Sequence, residues 1–335
     1  MRLILPFAVL WCLGSGLLAG PQGQGPDATS VLTAARNALG GDQKLAAIKT
    51  FVARGRTRQV RGNNLVPIEF EIACELPDKY VRRDEIPAQE SGPTSTGFNG
   101  DSLIQLPPPP EPPPQAGRPA GPGTPATAPP APSRPGGPSA APPDPRKARV
   151  VSIKQDFAKL TLGMFATSFS SYPLTFALAG QAEAPQGTAD VIEVKGAGNL
   201  AVKFFINKET HLPIMVSWTT PAANVVLAVA GQPAPQNLPP GSVVVQIPAA
   251  PGPAATKEDQ EKYSKDVQDL RKKALAGAKP IEHRLYYSDY RDVGGGVRFP
   301  FRLRRATAGE TIEETNFDEF KINARIDARR FEAVK

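Results

Sequence analysis

The stretch Val66-Pro67-Ile68-Glu69-Phe70-Glu71-Ile72-Ala73-Cys74 alternates apolar and polar side chains almost without exception. A period of two places every second side chain on one face of a β-strand, so this pattern predicts a strand with one apolar and one wetted face. Four further stretches alternate in the same way, namely 200–206, 212–218, 285–287 and 297–304. A sheet built from such strands needs a second layer or a ligand to cover its apolar side.

The remaining strand and turn signals extend this pattern into one large sheet. Asn99-Gly100-Asp101 and the glycine run 294–296 supply the positive-φ positions that hairpins need. We therefore predict a mainly β (α+β) protein with a single antiparallel sheet of about eleven strands, curved so that few edges stay open. The predicted strands are 50–60, 66–75, 79–85, 98–106, 174–182, 189–195, 200–207, 212–219, 281–292, 297–307 and 310–322.

A few helices are predicted beside the sheet. The first covers 28–39 and ends at Gly40-Gly41, with a further turn at 42–48. The second covers 145–164 and carries apolar residues at spacings of three and four, which is typical of an amphipathic helix. The third covers 257–276 behind a capping box at Thr256, and its narrow apolar stripe predicts a surface helix.

The N-terminal residues 1–20 have the composition of an export signal. Arg2 precedes the apolar run 3–13, and small residues follow it. We expect cleavage between Ala19 and Gly25 and a mature protein that is soluble and periplasmic or otherwise exported. A lipid anchor on Cys12 is not expected, because Trp11 stands where lipid attachment needs a small residue. Cys74 is then left without a partner and is predicted to be a buried apolar thiol.

Two proline-rich stretches interrupt the chain. The segment 107–145 contains 18 of the 38 prolines, and 231–255 is a smaller Gly/Pro-rich version. Such composition cannot bury a core and predicts disorder. Each stretch could be a linker between domains or an insertion within one domain. Because the chain before 107 is short for a domain and long loops cost little to close, we favour one discontinuous domain over 28–335.

The charge of the chain does not by itself indicate nucleic-acid binding. The net charge is +7 and the pI is about 9.4, but the basic residues alternate along predicted strands, as in Arg54-Gly55-Arg56 and Arg302-Leu303-Arg304. This arrangement is typical of a solvated sheet face. Weak attraction to anionic lipid or polymer surfaces is the better secondary expectation.

The sequence has no recognisable catalytic or metal-binding motif. His211 and His283 lack metal-ligand spacing to a second His or a Cys. The chain after residue 20 has no G-x-S-x-G elbow, and no phosphate-binding glycine loop follows a predicted strand. We expect no enzyme activity, no cofactor and no metal. A hydrolase with an unrecognised site is kept as a third interpretation.

Five phrases of the chain carry a family resemblance. They occur in the same order as in the family and span most of the chain outside the insertions: Ala38-Leu39-Gly40-Gly41, 76–82, 98–101, 204–213 and 317–331. In these phrases the chain resembles the bacterial lipoprotein-carrier superfamily (LolA/LolB-like, with outer-membrane lipoprotein-sorting relatives). The resemblance implies a strongly curved antiparallel sheet that forms an incomplete barrel (a half-barrel), with a few lid helices at its mouth and a hydrophobic cavity for acyl chains. The two insertions and the helix at 257–276 depart from the family pattern.

The leading hypothesis is an exported, non-enzymatic envelope protein that binds a lipid or lipoprotein acyl chain on the apolar face of the sheet. The predicted ligand-binding residues are Phe70, Ile72, Phe204, Ile206, Ile214, Val216, Trp218, Phe299, Phe301 and Leu303. The rival hypothesis is an envelope scaffold or protein-interaction module whose core is filled by its own helices and whose proline-rich arm reaches a protein partner.

Overall fold

The computed structural model of the 335-residue chain describes residues 27–61, 64–87, 89, 92–108, 144–184, 187–222, 225–233, 238–252 and 254–332. The predicted export signal and Cys12 lie outside the described residues, as does 109–143 of the first proline-rich segment.

Fourteen strands and four α-helices make up the regular structure of the described chain. The helices are α1 (Ala28–Ala38), α2 (Asp42–Ala47), α3 (Pro145–Phe165) and α4 (Lys257–Gly277). The strands are β1 (Thr50–Arg61), β2 (Asn64–Glu75), β3 (Lys79–Glu85), β4 (Thr94–Asn99), β5 (Ser102–Leu106), β6 (Leu174–Ala184), β7 (Gly187–Gly196), β8 (Leu200–Asn207), β9 (Pro213–Thr220), β10 (Val225–Val229), β11 (Val243–Ile247), β12 (Ile281–Gly294), β13 (Val297–Thr307) and β14 (Glu310–Ile322).

Twelve of these strands form one antiparallel sheet in the order β5-β4-β3-β2-β1-β14-β13-β12-β9-β8-β7-β6. The first and last strands of the chain pair at its centre, from Phe51 opposite Ile322 to Gln59 opposite Glu313. The two end strands of the described sheet, β5 and β6, do not pair, so the sheet is not closed into a barrel. The mainly β class and the single antiparallel sheet are confirmed.

Helix α3 lies against one face of the sheet, which we call the inner face. Every residue from Phe157 to Phe165 is buried. A helix that is buried all round must be surrounded by other structure, so the sheet curves about it. Asp144 caps the start of α3 by accepting a hydrogen bond from the Arg146 amide, and Ala166 ends the helix in the left-handed conformation.

Aromatic side chains connect α3 to strands from both halves of the sheet. The ring of Phe165 lies 5.1 Å from that of Phe299 on β13, between centroids. The ring of Phe157 lies 5.5 Å from Phe98 on β4 and 5.1 Å from Tyr80 on β3. One helix therefore joins the N-terminal and C-terminal strands into a single core.

Helix α1 packs against one end of the sheet, beside the turn that joins β12 and β13. It buries Val31, Leu32 and Ala35, and the Arg298 amide donates to the Leu39 carbonyl over 2.8 Å. Gly40 has a φ of 129°, and a Cβ there would lie 2.7 Å from the Gly296 carbonyl oxygen. Gly40, where the first helix was predicted to end, therefore also lies in close contact with the β12–β13 turn.

Two local predictions differ from the structure. The single strand predicted over 98–106 is a β4–β5 hairpin, because Gly100 takes a positive φ of 56° in the turn between Asn99 and Ser102. Within 231–255, predicted to lack regular structure, the valine run of β11 pairs in parallel with β10. Strands β10 and β11 pack with α4 as a small unit between β9 and β12.

Candidate functional site

The ten residues predicted to contact a ligand lie mainly in the inner-face core. Phe70, Ile72, Phe204, Ile206, Val216, Phe299, Phe301 and Leu303 are buried in one hydrophobic cluster with α3, and Trp218 packs against it half-buried. Ile214 is also half-buried. Whether any of the ten contacts a ligand stays a prediction.

Helix α3 occupies the space beside these residues and is hydrogen-bonded to the sheet. The Tyr287 hydroxyl donates to the Lys159 carbonyl, and the Tyr290 hydroxyl lies 2.8 Å from the Gly163 carbonyl. Lys154 at the other side of the helix pairs with Asp101 over 2.8 Å. Polar contacts therefore fix α3 at several points along its length.

The most spacious of the three described cavities is a cleft of about 850 Å³. By strand register most of its lining side chains lie on the opposite, outer face of the sheet, and Tyr287 and Tyr290, which bond to α3, also line it. It is lined from β6, β7, β8, β9, β12, β13 and β14 and by the β8–β9 turn, and no residue of α3 contributes to its wall. We call it the outer-face cleft. Its lining residues are Ala182, Glu183, Ala189, Phe205, Asn207, Thr210, Leu212, Pro213, Ile214, Met215, Glu282, Arg284, Tyr286, Tyr287, Ser288, Tyr290, Arg302, Arg304 and Glu314.

A cross-strand row of apolar residues runs along this cleft. Phe205 on β8 is opposite Met215 on β9, and Met215 is opposite Tyr286 on β12. All three are half-buried. Because directly paired residues on neighbouring strands share one face of a sheet, they form a continuous apolar strip.

A β-bulge brings Ile214 into the same cleft. Phe205 pairs with Met215, but the next residue, Ile206, pairs with Pro213, so Ile214 is an extra residue in β9. Strict alternation would place Ile214 on the inner face with Val216. A bulge changes the direction of the side chains around it, which explains why Ile214 is the one member of the predicted ten that lines the outer-face cleft.

Arginines border the apolar strip on the β12–β13 side. The guanidinium of Arg304 lies 4.1 Å from the centre of the Tyr286 ring. Arg302 Nε donates to Asn316 Oδ1 over 3.2 Å, and Arg284 pairs with Glu282 over 2.7 Å. The hydrogen bond to Glu282 raises the pKa of Arg284 above its usual range, so Arg284 keeps its positive charge. The cleft thus has an apolar floor and, at one end, Arg302 and Arg304 beside the carboxylate of Glu314; we call this the cationic end.

His283 lies on the inner face and has the contacts of a structural histidine. Its ring stacks on Trp218 with centroids 5.3 Å apart, and its two nitrogens lie 2.8 Å from Thr220 Oγ1 and 3.1 Å from Thr307 Oγ1. Burial, with the nearby cations Arg305 and Lys159, lowers the pKa of His283. The described part of the chain has no group of three or more His, Cys, Asp or Glu side chains placed to hold a metal ion.

The two smaller cavities, of about 250 and 350 Å³, lie beside the C-terminal segment. Phe331, at the end of a 3-10 turn over Ala328–Phe331, packs with Ala73, Val81 and Ile104 on the outer face. Burial acts to raise the pKa of Glu71, but its pairing with Arg54 and Arg330 outweighs burial and lowers it. Glu71, which lines both cavities, is therefore already paired with two arginines.

Sequence reasoning missed the outer-face cleft although a signal for it is present. Phe205, Met215 and Tyr286 are apolar residues at positions where the alternation requires polar ones. They fall within Phe204-Phe205-Ile206, Ile214-Met215-Val216 and Leu285-Tyr286-Tyr287, three apolar runs on adjacent strands.

Buried Cys74 matches its prediction as an apolar thiol, and burial raises its pKa well above its usual range. No helix in the described ranges combines the length and apolarity needed to cross a bilayer.

No protein-family model and no curated protein matches this chain. Among solved structures, the chain is similar to a LolA superfamily protein from Nitrosomonas europaea, with 11% identity, a TM-score of 0.44, and coverage of 92% of this chain and 98% of that one. A DUF1329 family protein from Desulfovibrio piger has 8% identity and a TM-score of 0.40, with 91% and 97% covered. An outer membrane lipoprotein-sorting protein domain from Vibrio parahaemolyticus has 6% identity and a TM-score of 0.39, again with 91% and 97% covered. Their names match the LolA-like resemblance of the sequence, and at these scores they carry no argument about ligand or activity.

Proposed function

We propose that this protein is an exported, non-enzymatic envelope protein that binds an acyl chain of a lipid or lipoprotein in the outer-face cleft. The observation that supports this proposal is the apolar strip of Phe205, Met215 and Tyr286 along an open cleft of about 850 Å³. This volume lies within the range of about 300–1,000 Å³ that is usual for small-molecule sites. Burial of a chain contributes about 0.8 kcal/mol per CH₂ group, so a long chain offsets the cost of association.

Binding between α3 and the inner face is the second placement, and it would use the residues predicted from the sequence. A ligand there has to displace a helix whose residues 157–165 are all buried. Each large apolar side chain exposed by that movement costs about 1.5–3 kcal/mol. The outer-face cleft is favoured because its space is already open.

The filled interior also supports the rival function, an envelope scaffold with a proline-rich arm. Burial of every α3 residue from 157 to 165 gives the sheet a core without any ligand. In that case, deletion of 109–143 should abolish capture of an envelope protein partner. The protein should have no affinity for lipids either with or without this segment.

The test is the affinity of delipidated protein for a fluorescent fatty acid. Met215→Trp places a larger side chain in the floor of the cleft and should weaken binding about tenfold or more. Leu270→Trp, on the exposed surface of α4, is the matched control and should bind as wild type does. Phe204→Ala enlarges the core beneath α3 and should leave the affinity unchanged.

Two outcomes would contradict the proposal in different ways. If the wild-type protein neither contains extractable lipid nor binds the probe, lipid binding itself is wrong. If Phe204→Ala changes the affinity and Met215→Trp does not, the chain lies beneath α3 and the placement in the outer-face cleft is wrong.

A further inference from the structure

The cationic end of the outer-face cleft belongs to two cross-strand rows of polar residues. One row runs from Arg58 on β1 through Glu314 and Arg304 to Tyr286 on β12. The other runs from Arg56 through Asn316 and Arg302 to Ser288. From β1 to β12 these rows contain four arginines and the single carboxylate of Glu314. Arg56 is also paired with Asp318 over 3.7 Å, so the excess of positive charge lies with Arg58, Arg302 and Arg304.

The two arginines that line the cleft retain donors for a ligand. Among the described residues, neither Arg302 nor Arg304 forms an ion pair within 4.0 Å. Arg302 uses Nε for Asn316, and Arg304 uses one terminal nitrogen for Thr311 over 3.2 Å. A guanidinium has five N–H donors in a fork that suits carboxylate and phosphate oxygens. Both side chains therefore have unused hydrogen-bonding capacity at the edge of the apolar strip.

The apolar and cationic parts follow one line across the strands. Arg304, Tyr286, Met215 and Phe205 are successive partners on β13, β12, β9 and β8. Three strand spacings separate the first from the last, which is about 14 Å at about 4.8 Å each. A molecule lying along this row meets a cation at one end and apolar side chains over the rest of its length.

We propose that the outer-face cleft selects a single-chain anionic amphiphile, with its carboxylate or phosphate on Arg302 and Arg304 and its chain along Tyr286, Met215 and Phe205. This inference rests on the proposed function and adds the headgroup to it. The ligand is one extracted molecule rather than a membrane surface, because the apolar strip lies in a cleft that a flat bilayer does not enter.

Two amphiphiles with the same acyl chain test the headgroup. Titration calorimetry below their micelle concentrations compares a myristoyl lysophospholipid that has a phosphoglycerol head with one that has a phosphocholine head. The wild-type protein should bind the anionic one about tenfold more tightly or better. The double variant R302Q/R304Q should bind both with the affinity that wild type has for the zwitterionic one.

The matched control is R298Q. Arg298 is exposed on the same strand, β13, and does not line the cleft. It should leave the preference unchanged. An equal loss in R298Q would show general attraction to a basic surface and overturn the inference.

The remaining outcomes distinguish failure of this inference from failure of the proposed function. Equal binding of both amphiphiles by wild type overturns the anionic headgroup and leaves acyl-chain binding intact. Binding of neither overturns both. In a last outcome, the wild-type protein cosediments with phosphatidylglycerol vesicles, R302Q/R304Q does not, and neither binds the single-chain anion. The anionic headgroup would then belong to a membrane surface, which also overturns the inference.

Discussion

The role of a single residue in this protein depends on the face of the sheet on which its side chain lies. Phe205, Met215 and Tyr286 are directed to the outer face, whereas their neighbours Phe204, Val216 and Leu285 are buried in the core. Runs of apolar residues in a half-buried strand therefore have two separate roles. The inner members stabilise the fold, and the outer members are available for a ligand.

His283 should make stability depend on pH. Burial and the cations Arg305 and Lys159 lower its pKa in the folded protein. The unfolded chain then binds the proton more readily, so the free energy of unfolding falls as the pH drops below about 6.5. Urea unfolding at about pH 7.5 and about pH 5.5 should show a smaller fall for His283→Gln than for wild type.

The matched control for this prediction is His211→Gln. His211 is exposed in the β8–β9 turn. This variant should lose as much stability between the two pH values as wild type does. A His283→Gln protein with the wild-type pH dependence would show that other groups cause the fall.

Among the elements, α3 has little room for a larger side chain at Gly163. A Cβ on Gly163 would lie 2.5 Å from Cδ1 and Cε1 of Tyr287. The Tyr287 ring is itself held by its hydroxyl on the Lys159 carbonyl, so it cannot turn away without losing that bond. This close approach explains a glycine in the middle of a buried helix.

Gly163→Ala should destabilise the protein. Alanine favours the helix by about 1 kcal/mol, but overpacking of a core costs about 1–3 kcal/mol. We therefore expect a net loss of up to about 2 kcal/mol in the free energy of unfolding, measured by urea denaturation. Gly277→Ala, at the end of α4 with no atom within 4 Å of the added Cβ, is the control and should not be destabilised. A Gly163→Ala protein that is more stable than wild type would mean that α3 shifts freely against β12, because the gain in helix propensity would then meet no clash.

The elements also show how far the sequence leads. The period of two predicted β2, β8, β9 and β13, because one buried face imposes that pattern. Alternation could not predict the position of Ile214, since a bulge depends on how β9 pairs with β8. The outer-face cleft was missed for a related reason. Its apolar strip exists only after β8, β9 and β12 are placed side by side, and β12 follows β9 in the sheet but not in the chain.

At the scale of the whole molecule, β10 and β11 form a sheet of their own, apart from the twelve-stranded one, and pack with α4. This unit lies in the chain between Thr220 on β9 and Ile281 on β12, and these two residues are directly paired. A short turn can therefore join these two strands in its place. None of the residues that line the outer-face cleft belongs to this unit.

Replacement of 221–280 by Asn-Gly should leave the sheet folded, because that dipeptide suits a two-residue hairpin turn. We expect a β-type circular dichroism spectrum, a cooperative unfolding transition and unchanged affinity for the fluorescent fatty acid. Replacement of 145–165 by a flexible linker of the same length is the contrasting variant. It removes the buried helix and should abolish cooperative unfolding. Loss of folding in the first variant would show that the unit supports the sheet.

The central position of β1 and β14 also affects the timing of folding. Phe51 and Ile322 are paired but lie 322 − 51 = 271 positions apart in the chain. Because a protein is synthesised from its N-terminus, β14 is the last strand to emerge, and until then β1 has β2 on one side and an open edge on the other. An open edge can pair with another chain. The finished sheet therefore depends on one late event, the insertion of β14, and a nascent chain has to be kept from its neighbours until that strand arrives.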